Sequence, residues 1–212
     1  MITQLAARAR DARSVYCVWI VGGQLESVVW HILYAVWVVG EIVIAFATRR
    51  QSDAKQDQDR GTQVLLWIVI VLSLTAAGFL KEMLPSSFRW REPWLRPLAL
   101  ALMIAGLTVR AAAIVTLGPW FTANVSIHSQ QRLRKTGLYR VVRHPSYLGM
   151  ELIFLAVGLY SESWIVMLVT FVPPSFAVLH RIRVEEAALT HAFGESYNEY
   201  CRTTKRLVPG LY

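Results

Sequence analysis

Apolar residues run through this chain in blocks of about 20, the length a helix needs to cross ~30 Å of hydrocarbon, and polar residues collect between the blocks. Five candidate spans follow. The first is Val28 to Ala47, preceded by a less regular apolar approach from Val15 to Leu25. The second is Val64 to Leu80, and the third is Leu95 to Leu117, which carries Arg110 inside it. The fourth, Tyr147 to Tyr160, is short. Ser161, Glu162 and Ser163 divide it from the fifth, Trp164 to His180, so the last two make a tight hairpin. Pro173 and Pro174 remove amide donors from the fifth span and predict a helix broken at membrane depth, either bordering a cavity or simply kinked. Beyond it, Val184, Ala188, His191 and Ala192 fall at helical spacing beside Leu189 and Phe193. This predicts an amphipathic helix continuing from the fifth span and ended or bent at Gly194. The expected fold is an all-α integral membrane protein with about five transmembrane helices and a C-terminal amphipathic helix. Residues 1–117 form its N-terminal set of three spans and residues 118–212 its C-terminal region.

Composition supports the membrane reading, since 55% hydrophobic and 17% charged residues in 212 is too apolar for an ordinary soluble domain. The net charge of +8 fits nucleic acid, an anionic membrane surface or an anionic ligand. Five spans put the first-to-second loop, the third-to-fourth loop and the C-terminus on one side. That side holds 14 of the 22 Lys and Arg residues, the other side holds 7, and Arg110 is the remaining one. The positive-inside rule makes the richer side cytoplasmic and places the N-terminus outside. No basic and aromatic RNA-binding pattern is present, so no nucleic-acid partner is expected. Cys17 and Cys201 lie far apart without metal-ligand spacing, which predicts free thiols and no metal site. The basic N-terminus is not followed by a short apolar stretch and a small-residue cleavage site, so no cleaved signal peptide is expected. Thr48 to Gly61, polar with mixed charge, reads as a solvated connector.

Against this background the stretch LYRVVRHPSYLG, Leu138 to Gly149, is unusually polar for the edge of a span. Pro145 holds His144 out of the helical region and suits the first turn of the fourth span. The amides of that helix start, near Ser146 and Tyr147, favour an anionic group. The stretch can equally anchor the chain to lipid phosphates, with Tyr139 and Tyr147 as interfacial residues. A second cluster, HRIRVEEAALTHAFGESY, places Arg181 and Glu185 four apart on one helical face, as an ion pair or flanking a common ligand. Glu41, Arg110 and Glu151 lie in or near spans and are expected to pair between helices. Glu151, one turn after Tyr147, is the best placed of them for substrate contact.

The combination of RHPSYLG with EEAALTHAFGESYNEY, at this separation, resembles the isoprenylcysteine carboxyl methyltransferase family and related phospholipid methyltransferases. The resemblance covers about Trp120 to Tyr212. It implies an S-adenosylmethionine pocket on the cytoplasmic side, enclosed by the last spans and the C-terminal helix, without a Rossmann domain. Carried over by position, it sets Tyr139, His144, Pro145, Ser146, Tyr147 and the strip Gln131, Arg132, Leu133 and Arg134 against the cofactor. Glu185 then holds the cofactor and Arg181 the substrate, the two forming the catalytic set. The chain departs from the family at Gln131, where histidine is usual, and at Arg134, where a small apolar residue is common.

The implied partner is a lipophilic methyl acceptor entering from the bilayer among membrane lipids. The reaction most in keeping is O-methylation of a carboxylate, with N-methylation of a phospholipid amine or S-methylation of a small thiol as alternatives. A transporter or a membrane scaffold are the non-enzymatic rivals, although the hydropathy pattern shows no inverted repeat.

Overall fold

A computed structural model of the chain describes residues 2–49, 60–85, 88–90, 92–121 and 133–210. Six α-helices carry it: α1 Ile2–Arg49, α2 Arg60–Met83, α3 Leu95–Leu117, α4 Pro145–Tyr160, α5 Trp164–Phe193 and α6 Glu195–Thr203. Short 3-10 turns cover Gly118–Trp120 and Gly137–Arg140. Among the described residues the only β-type pairings named are two isolated bridges. Four stretches are long and apolar enough to cross a membrane: Gly23–Ala47, Gly61–Met83, Leu95–Leu117 and Trp164–Phe193. With 16 residues, α4 is about 24 Å long and falls short of a full span. The expected five are therefore four long helices and one short one.

The first expected span, Val28 to Ala47, lies within the stretch Gly23–Ala47 of a helix that runs unbroken from Ile2. The N-terminal part of that helix is rich in Ala and Arg and holds no proline, so nothing interrupts the backbone ladder. One expectation is corrected, since the fifth span is not broken: α5 is helical straight through Pro173 and Pro174. Pro174 is fully buried, and the hydroxyls of Thr170 and Ser175 donate back to Val166 O and Phe171 O at 3.0 and 2.7 Å. The helix continues past the two missing amide donors, with Pro174 packed in the interior.

The chain divides into two compact units, residues 1–42 and 43–212. Within the first, Tyr34 stands edge-on to Trp37. Within the second, α3 packs along α4, α4 along α5, and α2 along α5. Lipid tails are as apolar as leucine, so close approach of backbones rather than burial from water has to hold such helices together. Small residues permit it. A Cβ added at Gly106 would lie 2.7 Å from both Gly149 O and Ile153 Cγ1, and one at Gly149 would lie 2.7 Å from Gly106 O and 2.9 Å from Arg110 N. Gly158 meets Met167 and Thr170 of α5 equally closely. The turn between α4 and α5 is fixed at Glu162, whose φ of 58° is unusual for a non-glycine residue. Its carbonyl accepts from Trp90 N–H at 2.9 Å, and its carboxylate lies 2.6 Å from Arg96 Nε.

The α3–α4 contact generates a sign test. In an ordinary helix interior Gly→Ala stabilises by roughly 1 kcal/mol. Gly149→Ala should instead destabilise by about 1 to 3 kcal/mol through overpacking, read as a lower unfolding midpoint in detergent. A raised midpoint would show that the helices do not approach this closely.

Candidate active site at the α4 N-terminus

The hinge that leads into α4 is built from both directions. Gly137, at φ 61°, opens a 3-10 turn, and two residues beyond it Val142 pairs in a parallel bridge with Lys205. Arg143 N–H donates to Lys205 O at 2.8 Å and His144 N–H to Arg206 O at 3.1 Å. The tail after α6 therefore lies along the hinge as a second strand-like segment. Gly194, with φ 53° and ψ −128°, makes the sharp junction that turns α6 away from α5, a backbone conformation that suits glycine. Tyr200 closes the arrangement by donating its hydroxyl to Tyr139 O. His144 sits outside the helix at φ −123° and ψ 60°, as its following proline requires, and Pro145 opens α4. Among the described residues no side chain caps this helix start at the amides of Ser146 and Tyr147.

Glu186 is the centre of the site. Its Oε1 accepts from Arg143 Nε at 3.0 Å and Nη2 at 2.9 Å and lies 3.3 Å from His144 Nε2, while Oε2 lies 2.7 Å from Arg206 Nη2. The remaining Arg143 nitrogen, Nη1, donates to the carbonyls of Thr204 and Cys201, the latter at 3.2 Å. One carboxylate thus joins α5, the hinge and the tail. Two guanidinium groups face it. Its neighbour Glu185 is different. Its carboxylate is 31% exposed against 12% for Glu186, and its Oε1 lies 3.9 Å from His144 Nδ1. Glu186 is closed in by partners, and Glu185 is left facing outward.

One turn further into the helix pair, Arg181 is buried and its Nε donates to the Tyr147 hydroxyl at 2.8 Å, with Nη1 donating to Thr62 Oγ1 at 3.2 Å. The tyrosine is thereby shared between Arg181 and the nearby Glu185 carboxylate. The His144 and Tyr147 rings lie 5.8 Å apart, centroid to centroid. On the α3 side, Arg110 Nη1 donates to Ser146 Oγ at 2.7 Å and to Ser146 O at 3.3 Å, tying α3 to the start of α4. Deeper in the α4–α5 contact, Ser175 Oγ and Glu151 Oε2 lie 2.5 Å apart. Among the described residues Cys201 is a free thiol, and no group of three His, Cys, Asp or Glu side chains could hold a metal ion. Burial raises the hydroxyl pKa of Tyr139 and Tyr197 well above the usual phenol range and that of Tyr200 to about 12. All three are neutral donors at physiological pH.

The structure brings together Tyr139, His144, Pro145, Ser146, Tyr147, Arg181 and Glu185. Leu133 is half-buried and Arg134 exposed, while Gln131 and Arg132 lie outside the described residues. The Ser146 hydroxyl is engaged by Arg110, so what it offers a ligand is its backbone amide. Of the predicted apolar stripe at the end of α5, Val184, Ala188, Leu189 and Phe193 are half-buried, whereas His191 and Ala192 are exposed. Sequence reasoning missed Glu186, Arg143, Arg206 and Arg110 as site residues. The EE doublet and the first arginine of RHPSY were visible, but the partner on the tail was not.

Fold and site together define a helical membrane protein with a polar, ion-paired site at the N-terminal end of a short apolar helix. Residues 99–191, from α3 through most of α5, match the model of the isoprenylcysteine carboxyl methyltransferase family, which establishes the family resemblance carried by the two motifs. Over 124 residues the chain is 36% identical to protein-S-isoprenylcysteine O-methyltransferase A of Arabidopsis thaliana, covering 55% of this chain and 60% of the relative. It is 31% identical over 149 residues to the cobalt-zinc-cadmium resistance protein CzcN of Cupriavidus metallidurans, covering 69% and 63%. A solved structure of the eukaryotic intramembrane Ras methyltransferase, at 24% identity, superposes with a TM-score of 0.57 over 72% of this chain and 54% of that one, a likeness of fold. The chain thus spans about 60% of the length of the first of these relatives.

The ion cluster predicts unequal effects for adjacent carboxylates. Glu186→Gln leaves Arg143 and Arg206 without their counter-charge and should cost about 3 kcal/mol of stability, with faster protease cleavage of the tail. Glu185→Gln should change stability by less than about 1 kcal/mol. Equal unfolding midpoints for the two variants would remove Glu186 from the centre of the site.

Proposed function

We propose that this chain is an S-adenosylmethionine-dependent methyltransferase of the membrane, acting on the carboxylate of a lipophilic acceptor. The observation that carries this reading is the pairing, at one end of α4, of uncapped helix amides with an outward-facing carboxylate, Glu185, 3.9 Å from His144. An amino-acid group offers the opposite pattern, an ammonium for Glu185 and a carboxylate for the amides of Ser146 and Tyr147. The residues present fit the cofactor in this respect. The cofactor supplies a methyl group on a sulfonium, activated for in-line transfer. The protein has to align the acceptor and exclude water. Tyrosine faces at Tyr139 and Tyr147 suit the neighbourhood of a cation.

Arg181 supports an anionic acceptor. It is buried one turn before Glu185, and its guanidinium is oriented through Nε by Tyr147 and through Nη1 by Thr62. A planar fork held in this way orients a carboxylate, which is ionised at neutral pH and needs no general base, whereas it opposes a cationic amine. The name of the Arabidopsis relative, an O-methyltransferase, points the same way. Exposed apolar residues such as Phe176, Leu168 and Val172 on α5 give a lipophilic tail a route from the bilayer. The charge distribution supports a cytoplasmic site.

Calorimetric titration of S-adenosylmethionine and S-adenosylhomocysteine into the detergent-solubilised chain tests the reading. Absence of binding would favour the transporter or scaffold readings and overturn the enzyme. Glu185→Gln should lose about 1.5 to 3 kcal/mol of cofactor affinity, the worth of a charge-assisted hydrogen bond. Arg181→Lys should bind cofactor almost normally yet transfer methyl groups poorly to an isoprenylcysteine acceptor, in KM, kcat or both. Normal turnover in the lysine variant would make Arg181 a structural residue, and equal loss of affinity and turnover would move it to the cofactor. For orientation, a cysteine at Ser161 in a Cys17→Ser, Cys201→Ser background should react with an impermeant maleimide on intact cells. One appended after Tyr212 should not, and the reverse pattern would overturn the cytoplasmic assignment.

A further inference from the structure

Arg181, which orients the acceptor in the reading above, is held in part by a helix outside the region that matches the family. The match covers residues 99–191, and α2 ends at Met83. Along α2 the buried residues Leu66, Ile70, Ser73 and Ala77 recur every three or four positions and form the face packed on α5, whereas Val64 and Val71 are exposed. Thr62, one turn before Leu66, extends this face to the start of the helix. There it meets the buried Arg181 side chain, whose Nη1 donates to Thr62 Oγ1 at 3.2 Å while its Nε donates to the Tyr147 hydroxyl of α4 at 2.8 Å. Three helices converge on one guanidinium.

The chemistry of these two contacts decides what they do. Both partners are neutral hydroxyls, so they fix direction without cancelling the charge of the guanidinium. One contact alone would leave the planar group free to pivot about it. A second, on a different nitrogen, stops the pivot and sets the plane of the fork, and a carboxylate is gripped through two hydrogen bonds only when it meets that plane. The depth suits a lipophilic acid. Arg181 follows Trp164 by 17 residues, about 26 Å along the helix, and Thr62 is the third residue of α2, so both sit near one edge of a ~30 Å hydrocarbon layer. An acceptor whose tail lies among lipid tails brings its carboxylate to that edge. We propose that Thr62 is a positioning residue for the methyl acceptor, aligning Arg181 with the acceptor carboxylate, and that α2 thereby contributes acceptor selectivity to a site whose cofactor half is built from the hinge, α4 and α5. This rests on the carboxylate-acceptor reading above and adds to it a residue on α2.

Thr62→Val removes the hydroxyl at nearly constant volume, and Thr62→Ser keeps it. Both variants, as full-length chains in detergent, are assayed for S-adenosylhomocysteine affinity and for methyl transfer to an isoprenylcysteine acceptor, alone and combined with Arg181→Lys. The valine variant should bind S-adenosylhomocysteine within about 2-fold of wild type yet lose roughly 10- to 100-fold in kcat/KM for the acceptor, the scale of a hydrogen bond to a charged group. The serine variant should recover most of that loss. In the Arg181→Lys background the valine should cost little more, because residues that act through one contact are not additive. Near-normal turnover in the valine variant, an equal defect in the serine variant, a matching loss of S-adenosylhomocysteine affinity, or a full additional loss in the lysine background would each overturn the assignment. Should wild type bind no S-adenosylhomocysteine, the enzyme reading falls and this role with it. Binding without transfer to the acceptor in wild type would overturn the carboxylate-acceptor reading and the role of Thr62, and leave the cofactor site standing.

Discussion

The tie between the Glu186 carboxylate and two arginines from different parts of the chain is the constraint on which the rest of the site depends. Arg143 comes from the hinge before α4 and Arg206 from the tail after α6, and both meet the same side chain of α5. Taking such charges out of water is costly, and the cost is offset only when nearly every donor and acceptor is used. Arg143 comes close to that condition, with Nε and Nη2 on the carboxylate and Nη1 on two backbone carbonyls. The bridge of Val142 with Lys205 and the hydrogen bonds of Arg143 and His144 to the tail then follow in register. The Tyr200 hydroxyl on Tyr139 O and the bonds of Arg143 Nη1 to Cys201 O and Thr204 O reinforce the same arrangement.

Adjacent glutamates take opposite roles because a helix turns by about 100° per residue. Glu186 points to the hinge and is enclosed, and Glu185 points past His144 and remains one-third exposed. The His144 imidazole lies between them, 3.3 Å from one and 3.9 Å from the other, so the ring that Pro145 fixes outside the helix also separates the structural carboxylate from the open one. The same division runs through the arginines. Arg143 and Arg206 are consumed by structure, Arg110 ties α3 to α4, and Arg181 is held beside the open carboxylate by a tyrosine and a threonine.

Much of this was legible in the sequence, and the reasons for the remainder are physical. Helix boundaries followed directly where hydropathy is continuous, as in Leu95–Leu117, and where turn residues interrupt it, as at Ser161 to Ser163. They stopped short where helix propensity carries on past the apolar block, as in α1, and failed where packing overrides a local breaker, as at Pro173 and Pro174 in α5. Of the candidate site, the residues within one motif came together because a helix start and one helical turn have fixed geometry. The partners of Glu186 did not, because the pairing of Arg143 with the tail spans some 60 residues of sequence and depends on the φ 53° junction at Gly194. A spacing rule has no access to a contact of that range. Arg110 shows the same limit, since its position inside a span was plain but its bond to Ser146 depends on how closely Gly106 and Gly149 let α3 and α4 approach.

The length difference between α4 and α5 explains why the polar residues lie where they do. The two helices are joined at one end by the short turn fixed at Glu162, and α4 has 16 residues against 30 in α5. The whole difference therefore accumulates at the α4 N-terminus, where contacts pair Tyr147 with Arg181 and His144 with Glu186 and leave the end of α5 overhanging. A full-length α4 would bury this face of α5 against another apolar surface, and charged residues there would be expensive. A short one leaves the end of α5 to the hinge, α6 and the tail, which bring guanidinium groups and tyrosine hydroxyls with them.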